Sequence, residues 1–256
     1  MLRSLFSAFL MYSRIPVPKV EWKEENRRYS LGFFPLVGAV SGGLLILWRI
    51  FCSFSGAGQI IFAAGAVLLP VAVTGGIHID GFCDVTDARS SYADKKKRLE
   101  ILSDPHIGSF AAINLSIYFL VQTALFTKIE TISDAAFIAC GYTLSRALSG
   151  LSAIMFRSAR SGGSLQSFVR PAHRKITIIM ELAFITVSAV IMTVLDIAGG
   201  LICLTAAVGV LIYCRISAYR NFGGYTGDIC GWFLQLCEIS VLASFVFYKL
   251  ITEAVK

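Results

Sequence analysis

Seven mostly apolar segments, each long enough to cross a lipid bilayer, constrain the fold of this chain more than any other feature. A membrane-spanning helix needs about 20 predominantly apolar residues. Because lipid offers the backbone no hydrogen-bond partners, such segments form helices. The sequence therefore predicts an all-α, polytopic membrane protein with about seven transmembrane helices, at residues 31–53, 58–77, 109–127, 135–156, 176–195, 197–214 and 232–250.

The composition agrees with a membrane protein and argues against an ordinary soluble domain. Hydrophobic residues make up 56% of the 256 residues and charged residues only 15%, whereas soluble domains carry about 25% charged residues. The net charge of +7 is spread over the segments between the apolar runs. Because these charges do not form one amphipathic stripe, we expect the lipid bilayer as a partner and no nucleic acid.

The distribution of basic residues predicts the orientation of the chain. Of the 23 Lys and Arg residues, 18 lie in the N-terminal segment and the three long loops, and three lie in the short loops and the C-terminal tail. Since cytoplasmic loops carry the excess of positive charge, we expect a multi-pass protein of a plasma membrane or cell inner membrane. Its N-terminus and long loops would be cytoplasmic.

A shorter apolar segment at residues 5–12 cannot span a bilayer, and it predicts an N-terminal interfacial or re-entrant helix. No linker suggests a second domain, so residues 1–256 are expected to form a single integral membrane domain. The polar loops at about 78–108 and 215–231 contain the residues that suggest catalysis.

Three aspartates follow the second apolar segment at a helical spacing. Asp80, Asp84 and Asp87 are separated by four and three residues, which places them on one face of a helix. Hard carboxylate oxygens suit Mg²⁺, Mn²⁺ or Ca²⁺. A solvated acidic face, or partners for a helix dipole, explains the spacing equally well, so the residues alone leave both interpretations open.

Further polar residues flank this acidic segment. Asp104 precedes Pro105, a pattern typical of a helix N-cap, and a metal or base role for Asp104 stays open. His78 and His106 lack the spacing of a zinc site. The glycine-rich segment 221–231 would let the backbone approach a ligand closely, or would form a simple turn.

Two charged residues lie within predicted spans, where charge is costly. Arg146 is in the fourth apolar segment and Glu238 is in the seventh. Intramembrane charges usually face a polar cavity or a partner of opposite charge. We therefore expect both side chains to point into the helix bundle.

Several strings of residues occur in the order and separation of one enzyme family. They are Phe9-Leu10 with Arg14-Ile15-Pro16-Val17-Pro18, Phe34-Pro35-Leu36-Val37-Gly38, Thr74-Gly75-Gly76-Ile77-His78-Ile79-Asp80-Gly81 with Asp84 and Asp87, Leu99-Glu100-Ile101-Leu102-Ser103-Asp104 with Ile107-Gly108, and Gly223-Gly224 with Thr226-Gly227-Asp228. Nearly end to end, the chain resembles the cobalamin-5′-phosphate synthase family, also called adenosylcobinamide-GDP ribazoletransferase.

The resemblance implies an enzyme of the last steps of cobalamin (vitamin B12) biosynthesis. Such an enzyme transfers the cobinamide-phosphate group of adenosylcobinamide-GDP to α-ribazole or α-ribazole 5′-phosphate and releases GMP. Mg²⁺ is the implied cofactor, and a homo-oligomer is compatible with the family. On this basis we expect metal ligands at Asp80, Asp84, Asp87, Asp104 and Asp228, catalytic roles for Asp87 and Asp104, and substrate contacts at His78, Arg89, His106, Arg146, Gly223, Gly224 and Thr226.

Two departures from the family pattern bear on these roles. Ala88 stands where the family has a glycine, and Pro105-His106 stands where it has Ser-Arg. The missing arginine would move one phosphate contact to His106 or to Arg89.

Two alternatives remain at this stage. Residues Asp84 to Arg89 resemble part of the aspartate-rich signature of CDP-alcohol phosphotransferase-like lipid enzymes, although its later half is missing. A transporter of a small solute, or one coupled to an ion, would use Glu238 and Arg146 as an ion site near the midplane. The acidic residues, however, cluster in the loops.

Overall fold

Helices form the architecture, which confirms the predicted all-α membrane fold. The computed structural model describes residues 1–160 and 162–255, so Ser161 and Lys256 lie outside the described residues. Within these ranges a short 3-10 turn at Leu31–Phe33 accompanies α1 Leu2–Tyr12, α2 Glu24–Arg27, α3 Phe34–Ser55, α4 Gln59–Thr74, α5 Ile77–Ser90, α6 Lys95–Ile101, α7 Ser109–Phe126, α8 Ile132–Met155, α9 Ser164–Val169, α10 Arg174–Leu195, α11 Ile197–Asn221 and α12 Gly227–Ala254.

Each predicted apolar segment coincides with a helix, but fewer than seven helices qualify as spans by length and composition. In the described part of the chain five do so, namely the stretch Glu24–Ser55 that ends with α3, and α7, α10, α11 and α12. A sixth results if α4 and α5, which meet at 95°, count as one broken span. The remaining segment is α8, which is 24 residues long and carries Asp134 and Arg146.

α8 lies at the centre of the bundle and contacts α3, α10 and α12. Its contact with α3 depends on two glycines four residues apart, Gly38 and Gly42. A Cβ atom at Gly42 would lie 2.8 Å from the Cβ of Ala139 on α8. Small residues at this spacing let helix backbones approach closely in membranes, so α3 and α8 form the tightly packed core that supports the other helices.

The N-terminal segment forms the helix expected from the sequence. α1 has 11 residues and buries Ser4, Ser7 and Ala8 where it packs against α2 and α3. After the helix ends, the backbone N–H of Arg14 donates a hydrogen bond to the carbonyl of Val73 at 2.7 Å. This contact holds the chain after α1 beside the end of α4.

The orientation of the bundle in the membrane stays a prediction from the charge distribution. We expect a cysteine introduced at Lys96 to be shielded from an impermeant thiol reagent in intact cells, and one at Glu130 to react. Both positions are exposed, whereas all seven native cysteines are at least half-buried, so the unmodified protein is the control for background labelling. Labelling at position 96 together with protection at position 130 would reverse the topology.

Candidate active site

The candidate site begins at a sharp bend between α4 and α5. Gly75 and Gly76 have φ angles of +65° and +82°, in the left-handed region that side chains other than glycine rarely adopt. Gly75 ends α4 and Gly76 precedes α5. This pair of glycines therefore turns the chain by 95° and presents the acidic helix α5 at the end of the bundle.

α5 carries the three predicted aspartates, as their spacing indicated. Asp80 and Asp84 line a cleft of about 890 Å³. Asp84 also borders an adjoining cavity of about 370 Å³, which Asp87 lines as well. The acidic face of the helix thus faces two connected cavities, and Asp84 lies where they meet.

A fourth carboxylate reaches the same cleft from the other end of the sequence. Asp228, in the first turn of α12, lines the cleft together with Asp80 and Asp84. The two helices meet at Gly81, where a Cβ atom would lie 2.7 Å from the carbonyl oxygen of Asp228 and 2.9 Å from its Cα. The glycine after Asp80 therefore permits the backbone contact that brings Asp228 to the acidic helix.

The glycine-rich segment before α12 has a structural explanation at each predicted position. Gly223 has a φ of +80°, and a Cβ at Gly224 would lie 2.6 Å from the carbonyl oxygen of Arg157. Thr226 caps α12, since its hydroxyl accepts a hydrogen bond from the N–H of Ile229 at 3.3 Å. The lining of the cleft does not include Gly223, Gly224 or Thr226, the three residues expected to contact the substrate. These three residues instead position Asp228.

Both carboxylate oxygens of Asp87 accept hydrogen bonds from the backbone at the start of α7. One carboxylate oxygen accepts a hydrogen bond from the N–H of Gly108 at 2.6 Å, and the other accepts from the N–H of Ala111 at 2.8 Å. These N–H groups belong to the start of α7, where amides lack partners within the helix. Asp87 therefore anchors α7 to α5, and its side chain lines the adjoining cavity and not the main cleft.

Asp104 and His106 form a pair at the opening of the cleft, which both residues line. The Oδ1 atom of Asp104 accepts a hydrogen bond from the N–H of His106 at 3.0 Å, and it lies 2.7 Å from the imidazole Nδ1. The backbone and side-chain hydrogen bonds from His106 hold the pKa of Asp104 below its ordinary value. Asp104 is therefore a weak base that orients the imidazole ring.

Arg14 is a residue of the cleft that the sequence-based assignment of sites missed. Its side chain lies over Gly75, where a Cβ atom would come within 2.5 Å of the Arg14 Nε atom, and Arg14 lines the same cleft as the aspartates. The signal was present, because Arg14 belongs to the Arg-Ile-Pro-Val-Pro string. Its function was not apparent because its approach to α4 is a tertiary contact.

Arg89 lies away from the acidic cleft, contrary to the expected contact with a cleft-bound phosphate. Its guanidinium donates a hydrogen bond to the Tyr213 hydroxyl at 2.8 Å and lies 4.7 Å from the ring centroid of Trp232. These residues line a separate cavity of about 530 Å³. Arg89 follows Asp80 by nine residues and Asp84 by five, and at about 100° per residue the helix places its side chain on nearly the opposite side from both aspartates.

Arg146 is also placed differently from the expected substrate contact. Only 1% of its side chain is exposed, and its Nη1 atom lies 2.6 Å from the Oε1 atom of Glu238. The same carboxylate accepts a hydrogen bond from Ser145. The structure shows both partners expected for an intramembrane arginine, the opposite charge of Glu238 and a small cavity that both residues line. Arg146 links α8 to α12 in the interior.

His78 is buried behind the cleft and does not line it. Its side chain borders a small polar cavity with Arg146 and Glu238 and also an apolar cavity on the other side of α5. The Nε2 atom of His78 has no hydrogen-bond partner among the described residues.

The carboxylates of the cleft have the chemistry of a site for a hard cation. No ion pair of the described residues involves Asp80, Asp84 or Asp228, and the side chains of Asp80 and Asp84 make no hydrogen bond there. Within residues 1–160 and 162–255, no three or more His, Cys, Asp or Glu side chains are grouped so that they could hold a metal ion by themselves. Mg²⁺ commonly uses one or two carboxylates together with substrate phosphates, so an open set of carboxylates fits it.

Comparisons with known proteins give the family and the relatives of this chain. A family model described as cobalamin-5-phosphate synthase matches residues 4–246. An adenosylcobinamide-GDP ribazoletransferase of Lachnoclostridium phytofermentans is 43% identical over 242 residues, which cover 93% of this chain and 91% of that protein. One from Geobacillus sp. is 31% identical, with 96% and 99% covered, and one from Treponema denticola is 28% identical, with 96% and 98% covered. No solved structure gives a significant match.

Proposed function

The chain belongs to the cobalamin-5-phosphate synthase family, and on that premise we propose that it is an adenosylcobinamide-GDP ribazoletransferase whose reaction takes place in the acidic cleft. It transfers the cobinamide-phosphate group of adenosylcobinamide-GDP to α-ribazole or its 5′-phosphate and releases GMP. The observation that carries the assignment of the cleft is the meeting of Asp80, Asp84 and Asp228 in one cavity. Asp80 and Asp84 come from the string that begins at Thr74, and Asp228 comes from the string that begins at Gly223.

The charged residues that line the cleft suit a diphosphate substrate that binds together with a divalent cation. Three carboxylates without basic partners would repel a bare diphosphate, whereas a divalent cation between them would attract it. Arg14 contributes a positive charge to the lining of the cleft and would bind a non-bridging phosphate oxygen. The CDP-alcohol phosphotransferase and transporter alternatives lack such support, because the relatives are ribazoletransferases and Glu238 is paired with Arg146.

Mg²⁺ is part of this proposal. One or two of Asp80, Asp84 and Asp228 would hold it together with the substrate diphosphate, and when bound it would neutralise charge on the diphosphate and on the departing GMP. Asp87 is not included among the proposed ligands, because both of its oxygens accept hydrogen bonds from α7. Asp104 is assigned to the orientation of His106.

The transfer exchanges one phosphorus–oxygen bond for another. A ribose hydroxyl oxygen of α-ribazole bonds to the cobinamide phosphorus, and the bond from that phosphorus to the bridging oxygen of GMP breaks, so GMP leaves with the bonding electron pair. The hydroxyl proton must go to a base. We assign it to the imidazole of His106, because His106 lines the cleft opening and Asp104 orients its ring. Since the family has an arginine at this position, this assignment is made for this chain and not for the family.

The purified protein in detergent or in a lipid nanodisc should release GMP only when adenosylcobinamide-GDP, α-ribazole and Mg²⁺ are all supplied. The measurement is GMP formation together with the corrinoid product, and omission of each component in turn provides the controls. Transport of a corrinoid into sealed vesicles without formation of GMP would replace the enzyme assignment with the transporter alternative.

Substitution of His106 by glutamine tests the proposed base in the same assay. Because general-base catalysis contributes about 10²–10⁴-fold, we expect kcat to fall by about 10²-fold while the KM for adenosylcobinamide-GDP changes little. The side chain is 88% exposed, so folding should not change. Retention of normal kcat would assign the proton to another group.

A further inference from the structure

An apolar cavity adjoins the acidic cleft. It has a volume of about 280 Å³ and shares Ile77 and Asp228 with the cleft. Small-molecule pockets begin at about 300 Å³, so the cavity can hold only one small group. Its walls are mainly aromatic and aliphatic, with Tyr12, Phe34, Leu165 and Phe168 among them.

One polar side chain in the wall has a buried nitrogen atom without a hydrogen-bond partner among the described residues. His78 is only 6% exposed, and its Nε2 atom has no partner among the described residues. A buried polar atom without a partner is unfavourable, and each such atom in a folded protein calls for an explanation. The imidazole borders this cavity as well as the small cavity of Arg146 and Glu238, and its ring centroid lies 5.5 Å from that of Phe34.

We propose that this cavity binds the heteroaromatic base of α-ribazole, with the His78 imidazole hydrogen-bonded to a ring nitrogen of the base. This inference rests on the proposed function, which makes α-ribazole the acceptor. A flat bicyclic base stacks on aromatic side chains. The shared residues Ile77 and Asp228 then place the ribose at the boundary with the cleft, where its hydroxyl meets the phosphate.

The corrin macrocycle and the guanine of adenosylcobinamide-GDP fit this cavity poorly. A corrin macrocycle is much larger than a cavity of about 280 Å³. Guanine carries several hydrogen-bond donors and acceptors, and a site that binds it must satisfy them. The cavity wall consists mostly of apolar side chains, so the base with few polar atoms is the occupant that it favours.

Two substitutions change the cavity without touching the aspartates. Ala153→Leu fills it from α8, and Phe168→Ala removes part of its aromatic wall. We expect each to raise the KM for α-ribazole by about tenfold or more, since one or two methylene groups in an apolar pocket have effects of about 10–200-fold. The KM for adenosylcobinamide-GDP should stay within about twofold. Ala183→Leu and Phe247→Ala, at exposed positions, are the matched controls.

A competition experiment tests the inference without any variant. Benzimidazole, a bicyclic base without ribose, should inhibit the unmodified protein competitively against α-ribazole and not against adenosylcobinamide-GDP. Absence of GMP release by the unmodified protein would contradict the proposed function itself. Normal GMP release without competition by benzimidazole would overturn the assignment of this cavity, and so would an unchanged KM for α-ribazole in folded Ala153→Leu and Phe168→Ala proteins.

Discussion

Replacement of Asp84 by asparagine should lower GMP release by about a thousandfold or more, because loss of a metal contact removes several kcal/mol of charge stabilisation from the transition state. Asparagine keeps the size of the side chain and removes its charge. Asp84 is the carboxylate that borders both the cleft and the adjoining cavity. It makes no hydrogen bond among the described residues that the substitution would break.

The stability of the Asp84→Asn protein should remain close to normal. Removing one of several like charges on α5 relieves repulsion, so the thermal midpoint should shift by no more than about 2–4 °C, the change that about 1 kcal/mol causes in a chain of this size. Asp94→Asn is the matched control, because Asp94 is exposed and caps α6, a position where asparagine serves equally well. Near-normal turnover by Asp84→Asn across a titration of Mg²⁺ would refute the proposed site.

Breaking the buried ion pair between Arg146 and Glu238 should have the largest effect on stability. Both side chains are almost fully buried and their atoms are 2.6 Å apart. Removal of one partner from a buried pair leaves an uncompensated charge and typically costs about 3–5 kcal/mol. We expect Arg146→Ala to lose this amount of unfolding free energy, measured by reversible unfolding in mixed micelles.

A paired replacement separates the charge effect from the loss of packing. In the double variant Arg146→Met with Glu238→Met, neither charge remains, and hydrophobic replacement of buried ion pairs is often neutral or stabilising. The double variant should therefore be more stable than Arg146→Ala. Equal destabilisation of the two proteins would mean that Arg146 acts through its contacts with the backbone of Tyr142 and the tightly packed Gly38, and not through the ion pair.

The positions of the helices and the acidic face of α5 were predictable from the sequence because both depend on local patterns. A run of about 20 apolar residues must become a helix in a membrane. An i, i+4, i+7 spacing places side chains on one face of whatever helix contains them. Asp80, Asp84 and Asp87 accordingly share α5. The number of spans was less predictable, because a buried helix such as α8 tolerates Arg146 and several serines.

The roles of individual polar residues depended on neighbours that are distant in the sequence. Asp87 and Arg89 are two residues apart, yet Asp87 bonds to the start of α7 and Arg89 packs against Trp232. The family resemblance indicated which strings belong to the site. It did not distinguish Asp228, which reaches the cleft, from Gly224 and Thr226, which only position it.

The sequence by itself determined that this chain is a helical membrane protein with a carboxylate-bearing helix after its second apolar segment, since segment length and residue spacing act within a single helix. Only the tertiary structure decided which of the polar residues share a cavity. That outcome depends on close contacts between segments far apart in the chain, such as the approach of Gly81 to the backbone of Asp228. A helix can present each of its faces to a different neighbour, so the packing of the bundle selects the residues that meet in the cleft.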